Sequence, residues 1–99
     1  MYRIRYVLFL VEPDLWSVKY PNATKTFGIR LRQIREERGL SQQELADLAD
    51  LSRLTITRFE NAQMNPSLDA LVGICKGLEM PLKELVDFPI PKEGGKKKG

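Results

Sequence analysis

The side chains that could carry chemistry in this chain are arginines, lysines and amides rather than the usual catalytic groups. The sequence contains no histidine and one cysteine, Cys75. These counts exclude histidine-based acid–base catalysis, an internal disulfide and a zinc cluster. No glycine-rich phosphate loop is present either. We therefore expect a protein that is not an enzyme and that has no metal or cofactor, with Cys75 packed in the core.

Positive charge is distributed unevenly along the 99 residues, which carry a formal net charge of +3. Residues 1–23 carry +1, residues 24–88 carry −1 and residues 89–99 carry +3. Within the central part, the arginines fall in two segments: Arg30, Arg32, Arg35, Arg38, Arg53 and Arg58. This local asymmetry favours a nucleic-acid partner.

Residues 1–23 are expected to form an N-terminal extension. Residues 2–11, YRIRYVLFLV, are aromatic and β-branched and predict a strand. A lone strand must pair, either with residues 16–20 or with the same strand of a second chain. The apolar stretch Tyr6–Val11 is too short for a membrane span or a secretory signal, so we expect a cytoplasmic protein.

Residues 24–88 change to a helical pattern, which predicts five short helices. Thr26 is the expected N-cap of the first helix and Gly39 its end. Ser41-Gln-Gln-Glu44 is a capping box that opens the second helix. The inward residues of these two helices are expected to be Phe27, Leu31, Ile34, Leu45, Ala46 and Ala49.

The three remaining helices are marked by caps and turn residues. Ser52 is expected to cap the third and Ser67 the fourth, with Gly77 closing the fourth. Pro81 is expected at the first helical position (N1) of the fifth. The expected inward residues are Ile56, Phe59, Leu68, Leu71, Val72, Cys75, Leu78, Leu82, Leu85 and Val86. Residues 89–99 are expected to be a flexible basic tail, whose lysines either keep the chain soluble or contact phosphate.

The run SQQELADLADLSRLTITRFENAQMNPSLDALVGICKGLEMPLKEL, preceded by FGIRLRQIREERGL, resembles the Cro/XRE-type helix-turn-helix family of phage and bacterial repressors. The resemblance covers about residues 24–88. It is carried by the capped helix start at Ser41–Glu44, the small residue Ala46, the inward Leu45, Leu51, Ile56 and Phe59, the pair Glu60-Asn61 and the helix start Pro66-Ser67. The turn between the paired helices usually holds glycine, whereas here it is Asp50, which we expect to adopt a positive φ.

This resemblance implies a mainly α fold, a five-helix lambda-repressor-like DNA-binding bundle at residues 24–88, with an N-terminal strand extension and a basic tail. It implies a sequence-specific, double-stranded DNA-binding transcriptional regulator encoded by a bacterium or phage. We expect a homodimer that represses by binding a palindromic operator, with half-sites roughly 34 Å apart. The dimer could form through the fifth helix (Leu82, Leu85 and Phe88) or through the N-terminal strand.

The resemblance makes residues 52–60 the recognition helix, which presents side chains to the major groove. Its candidates for base readout are Arg53, Leu54, Thr55, Thr57 and Arg58. Arg53 could bind guanine through O6 and N7, a contact that is worth about 1–3 kcal/mol of discrimination. Leu54 could pack on a thymine methyl group. The alternatives are that Arg53 is a solvated charge and Leu54 a core or dimer residue.

The resemblance also suggests phosphate contacts and one structural ion pair. The phosphate candidates are Gln42, Asn61, Gln63 and Lys25. Gln42 could instead be only a polar first-turn residue, and Asn61 only a helix C-cap. Arg35 and Glu60 are expected to form a buried structural pair. Arg30, Arg32 and Arg38 are expected to be a solvated helix face.

A second function class stays open from the sequence. Some family members bind both DNA and a toxin protein, and an exposed apolar strand can add to the sheet of a partner. The N-terminal strand therefore allows an antitoxin-type interaction module as the alternative to a DNA-binding regulator.

Overall fold

The structure, a computed structural model, describes residues 19–93. The helices of this part are α1 (Pro21–Glu37), α2 (Gln42–Ala49), α3 (Arg53–Glu60), α4 (Leu68–Leu78) and α5 (Leu82–Leu85). The predicted five-helix architecture is confirmed. The predicted N-terminal strand, and the lysines at 96–98, lie outside the described residues. Between residues 19 and 93, no helix is both long and apolar enough to cross a membrane.

The core lies where α2 and α3 meet α1 on one side and α4 on the other. Its largest fully buried side chains are Leu31, Leu45, Ile56, Phe59, Ile74 and Leu85. Phe27 of α1 meets Phe59 of α3 edge to face, with ring centroids 6.1 Å apart. The predicted inward faces of the first three helices are therefore confirmed, and they fix which side of α3 points outward.

Most helix boundaries follow from local side chains. Ser41 forms the predicted capping box, in which its hydroxyl accepts from the Glu44 N–H and the Glu44 carboxylate accepts from the Ser41 N–H. Ser52 and Ser67 cap α3 and α4 without the returning bond: their hydroxyls accept from the N–H groups of Thr55 and Ala70. Asp50 adopts the predicted left-handed conformation, with φ of 59°. The short polar side chain of aspartate tolerates this region better than most residues.

The predicted start of α1 is wrong. The helix begins at Pro21, and Thr26 lies in its second turn, where its hydroxyl donates to the Asn22 carbonyl at 2.8 Å. Proline suits the first helical position because its missing N–H would have no partner there. The Tyr20 side chain makes no capping hydrogen bond. The cap is instead the carboxylate of Glu93, whose two oxygens accept from the backbone N–H groups of Asn22 and Ala23 at 2.8 and 3.1 Å.

The predicted inward face and the predicted end of α4 are also partly wrong. Leu68 and Val72 are exposed, at 65% and 43%, whereas Ala70 and Ile74 are buried with Cys75 and Leu78. Apolar residues are so frequent in this helix that their spacing does not indicate which face is buried. Glu79 in the left-handed conformation ends the helix, and Gly77 lies inside it against the backbone of Leu48. The predicted N1 position of Pro81 is wrong by one residue, because Pro81 is the N-cap of α5 and Leu82 its first helical residue.

Gly28 allows α1 to approach the end of α3. A Cβ atom at this position would lie 2.5 Å from the Phe59 carbonyl oxygen and 2.9 Å from that of Glu60. Both obstacles are backbone atoms, which cannot move aside as a flexible side chain would. The last residue of α3 is thereby held close to α1.

We expect Gly28→Ala to lower the free energy of unfolding by about 1–3 kcal/mol, because α1 and α3 must separate to admit the methyl group. This loss should appear even though alanine favours a helix interior over glycine by about 1 kcal/mol. Urea denaturation measures the difference. Gln33→Ala, on the exposed face of α1, is the control and should change stability by less than about 0.5 kcal/mol. A Gly28→Ala protein that is as stable as the wild type would contradict the close approach.

Candidate nucleic-acid interface

The outward face of α3 lies opposite the two residues that the helix buries in the core. Ile56 and Phe59 are buried, which leaves Arg53, Leu54 and Arg58 exposed on the opposite side. Leu54 is 57% exposed and so is not a core residue. Three of the five candidates for base readout are therefore free to meet a ligand.

The other two candidates, Thr55 and Thr57, are half-buried and already hydrogen-bonded within the protein. The Thr55 hydroxyl lies 2.8 Å from the hydroxyl of Ser52. The Thr57 hydroxyl lies 3.0 Å from both the Gln42 side-chain oxygen and the Arg53 carbonyl. Because a hydroxyl has one hydrogen, Thr57 donates to one of these oxygens at a time. The hydroxyls of the two threonines would have to leave these hydrogen bonds in order to donate to a ligand.

Arg35 and Glu60 form a two-pronged ion pair between α1 and the end of α3. Arg35 donates through Nε to Glu60 Oε2 at 2.7 Å and through Nη2 to Oε1 at 3.1 Å. Its Nη1 donates to the Leu40 carbonyl at 2.8 Å. The exposed fractions of the two side chains are 10% and 2%. The hydrogen bond to Glu60 raises the pKa of Arg35, so the guanidinium stays charged throughout the physiological range.

Gln42 extends this pair to the start of α2. Its side-chain nitrogen donates to Glu60 Oε1 at 3.0 Å, and its side-chain oxygen accepts from Thr57. An amide nitrogen carries two hydrogens, so one remains for an outside acceptor. The first backbone N–H groups of α2, at Gln42 and Gln43, have no carbonyl partner within the helix and lie at its positive end. This end of α2 can therefore bind an anion.

The loop after α3 is closed by a left-handed residue that the sequence analysis did not identify. Ala62 has a φ of 59°, and the N–H groups of Asn61 and Gln63 donate to the Thr57 and Arg58 carbonyls at 2.9 and 2.8 Å. Their backbone amides are thus used within the turn, in the pattern of a helix C-terminal motif. The exposed side chains of Asn61 and Gln63 remain available. Alanine carries no turn signal that could have revealed this.

The start of α1 lies beside this loop. The Thr24 hydroxyl donates to the side-chain oxygen of Asn65 at 2.5 Å. The next residue, Lys25, is exposed. The phosphate candidate Lys25 is therefore on the helix end that adjoins the loop carrying Asn61 and Gln63.

Two of the three arginines predicted to be solvated have structural partners instead. Arg30 donates to the Glu84 carbonyl at 2.7 Å, and Arg38 donates to the Leu78 carbonyl. These carbonyls lie near the C-terminal ends of α5 and α4, where backbone carbonyls lack the regular helical N–H partner. Arg32 and Arg38 are both exposed, as expected, and Arg32 pairs with Glu36 on the exposed face of α1.

Comparison with known proteins adds family membership to this geometry. A helix-turn-helix family model matches residues 31–85, more than half of the chain. The chain belongs to the Cro/C1-type helix-turn-helix family. Its fold also matches the crystal structure of the restriction-modification controller protein C.AhdI from Aeromonas hydrophila. That match has a TM-score of 0.61 and 37% identity, and it covers 63% of this chain and 94% of that one.

Three curated relatives match this part of the chain. The control protein C.BamHI of Bacillus amyloliquefaciens is 40% identical over 68 residues, which are 68% of this chain and 84% of that protein. The immunity repressor of Bacillus phage phi105 is 38% identical over 61 residues, and an HTH-type transcriptional regulatory protein of Methanocaldococcus jannaschii is 36% identical over 64. These matches cover 62% and 65% of this chain, but only 42% of the repressor and 20% of the archaeal regulator.

We expect Glu60→Ala to lower the free energy of unfolding by about 3–5 kcal/mol, because it leaves the Arg35 charge buried without its carboxylate. The double variant Arg35→Met with Glu60→Leu should lose much less, since it removes both charges and keeps the volume apolar. Urea denaturation of the two proteins measures the difference. A double variant that is as unstable as the single one would show that the pair is not the source of the loss.

Proposed function

We propose that this chain is a sequence-specific, double-stranded DNA-binding transcriptional regulator. The observation that carries the proposal is the exposed row Arg53, Leu54 and Arg58 on a helix whose other face is fully packed. A helix of this width fits the major groove of B-DNA, and its first residues then reach base edges. The names of the three relatives, a transcriptional regulatory protein, an immunity repressor and a control protein, support the same function.

The exposed residues of α3 differ in what they can read. Arg53, in the first turn, presents a planar group that can donate to guanine O6 and N7 together. Leu54 offers an apolar contact that suits a thymine methyl group. Arg58 lies more than one turn later and reaches the opposite edge of the site. The hydroxyls of Thr55 and Thr57 are already hydrogen-bonded to other groups of the protein, so these residues are less free to bind bases.

Phosphate groups on either side of the groove would be held at three places. The start of α2 offers the remaining amide hydrogen of Gln42 together with unpaired backbone N–H groups. The loop after α3 offers the side chains of Asn61 and Gln63. Lys25 adds a charge at the start of α1. Contacts of this kind place the recognition helix without reading sequence.

Selection from a random duplex library at physiological salt tests the proposal, with the retained DNA sequenced. The wild type should enrich one motif, and Arg53→Ala should relax it at one position per half-site, by about 1–3 kcal/mol of discrimination. Arg32→Ala, on the exposed face of α1, is the matched control and should leave the motif unchanged. Background binding without any enriched motif would refute sequence-specific recognition.

We further propose that the protein binds DNA as a homodimer through an apolar surface between α4 and α5. The predicted use of Leu85 there is wrong, because Leu85 is fully buried in the core. Leu82, which was predicted there, is exposed, and so is Val72. Both line one shallow and mainly apolar groove, whose other lining residues are Cys75, Lys76, Glu79, Met80 and Pro81. An exposed apolar groove of this kind is suited to contact with a second subunit.

Val72→Glu and Leu82→Glu should each weaken the dimer on the order of tenfold or more, because a charge would be buried at the contact. Sedimentation equilibrium measures the dissociation constant. Ile29→Glu, which changes an exposed apolar residue of α1, is the control and should leave it unchanged. If removal of residues 1–18 dissociates the dimer while these substitutions do not, the N-terminal segment forms the contact instead.

A further inference from the structure

The buried ion pair at the end of α3 fixes the direction of a chain of hydrogen bonds. The Glu60 carboxylate, which accepts from the Arg35 guanidinium, has no hydrogen to donate. The Gln42 atom that lies 3.0 Å from Glu60 Oε1 is therefore the amide nitrogen, because an inverted amide would set two oxygens against each other. The side-chain oxygen of Gln42 consequently faces the Thr57 hydroxyl, 3.0 Å away.

The Thr57 hydroxyl has one hydrogen, and the two oxygens that it meets are both acceptors. They are the Gln42 side-chain oxygen and the Arg53 carbonyl oxygen, each at 3.0 Å. Neither oxygen carries a hydrogen, so Thr57 is the donor in either bond. A hydroxyl oxygen also has two lone pairs that accept hydrogen bonds. In this arrangement Thr57 therefore offers a ligand an acceptor and not a donor.

The hydroxyl of Thr55 is not directed in this way. It lies 2.8 Å from the hydroxyl of Ser52, and either of the two can be the donor. The Ser52 hydroxyl also accepts from the Thr55 N–H as the cap of α3, which leaves its own hydrogen free to turn. Of the two threonines, Thr57 is thus the one whose hydrogen-bonding polarity the fold fixes.

Thr57 lies on the outward side of α3. It follows Arg53 by four residues and Leu54 by three, so it occupies the next turn on the same face of the helix. Ile56 and Phe59 are buried on the opposite side, whereas Thr57 is half-buried. A rise of about 1.5 Å per residue places Thr57 roughly 6 Å along the axis from Arg53. We therefore expect it to reach a base that neighbours the one read by Arg53.

We propose that Thr57 reads the amino group of a base, either N6 of adenine or N4 of cytosine. This inference rests on the proposed DNA-binding function. In the major groove these amino groups donate hydrogen bonds, whereas guanine O6 and thymine O4 accept them. The lone pairs of Thr57 attract the amino groups and repel the keto oxygens. The protein therefore favours base pairs that present an amino group at the place that Thr57 reaches.

Selection from the random duplex library with Thr57→Val locates this base pair. Valine has nearly the size of threonine but lacks the hydroxyl, so it should lower the preference at one position of the motif by about three- to tenfold. That position should differ from the one relaxed by Arg53→Ala. Thr57→Ser, which keeps the hydroxyl, should retain the preference. The matched control is Thr26→Val, which removes a hydroxyl that also donates to the carbonyl four residues earlier, and it should change no position.

Removing single groups from the DNA then tests the polarity without any change in the protein. In one duplex, an analogue that lacks the amino group replaces the adenine or cytosine of the located base pair. In a second duplex, the keto oxygen of its partner base, thymine O4 or guanine O6, is removed in the same way. Fluorescence anisotropy measures the dissociation constants. The wild type should lose about three- to tenfold more affinity than Thr57→Val in the first duplex and no more than Thr57→Val in the second. A weakened base pair affects both proteins alike, so this difference reports the contact.

The outcomes separate this reading from the function on which it rests. A wild type that enriches no motif refutes the proposed function. A motif in which Thr57→Val changes no position refutes the reading by Thr57 and leaves the function standing. An extra loss of the wild type on the duplex without the keto oxygen would show that Thr57 donates to the base, and would overturn the polarity.

Discussion

The ion pair between Arg35 and Glu60 is the contact on which the geometry of the interface depends. It joins the last turn of α1 to the last residue of α3, and the same carboxylate accepts from Gln42 at the start of α2. Both charged groups are nearly excluded from water, so neither can lose its partner without a large cost. Three helix ends are therefore held in one arrangement, which a purely apolar contact would define less sharply.

This polar network also decides which side chains are left for a ligand. The Thr57 hydroxyl is hydrogen-bonded to Gln42, and the Thr55 hydroxyl to Ser52. The half-buried polar side chains of α3 therefore have hydrogen-bond partners within the protein. Arg53, Leu54 and Arg58 remain on the exposed side. A rigid helix with few free side chains suits readout of bases, because those side chains are positioned before the ligand arrives.

The helix ends of this small domain are completed by residues that are remote in the sequence. Arg30 and Arg38 of α1 donate to carbonyls at the ends of α5 and α4, and Glu93 accepts from the first N–H groups of α1. Five short helices leave many unpaired backbone groups for their size. Long side chains of α1 and the returning C-terminal segment satisfy several of them, which ties both ends of the described chain to one helix.

The sequence by itself determined the helices that begin with serine caps, the turns at Gly39 and Asp50, and the inward faces marked by Leu31, Leu45, Ile56 and Phe59. These follow from local hydrogen bonds and from helical spacing, which involve residues a few positions apart. The outward position of Arg53 and Leu54 followed from the same spacing. Only the tertiary structure decided that α1 begins at Pro21, that Gly77 lies against α2, and that Gln42 and Thr57 bind each other. It also decided the roles of Arg30, Arg38 and Glu93, because their partners lie tens of residues away and a local pattern cannot specify a distant carbonyl or N–H group.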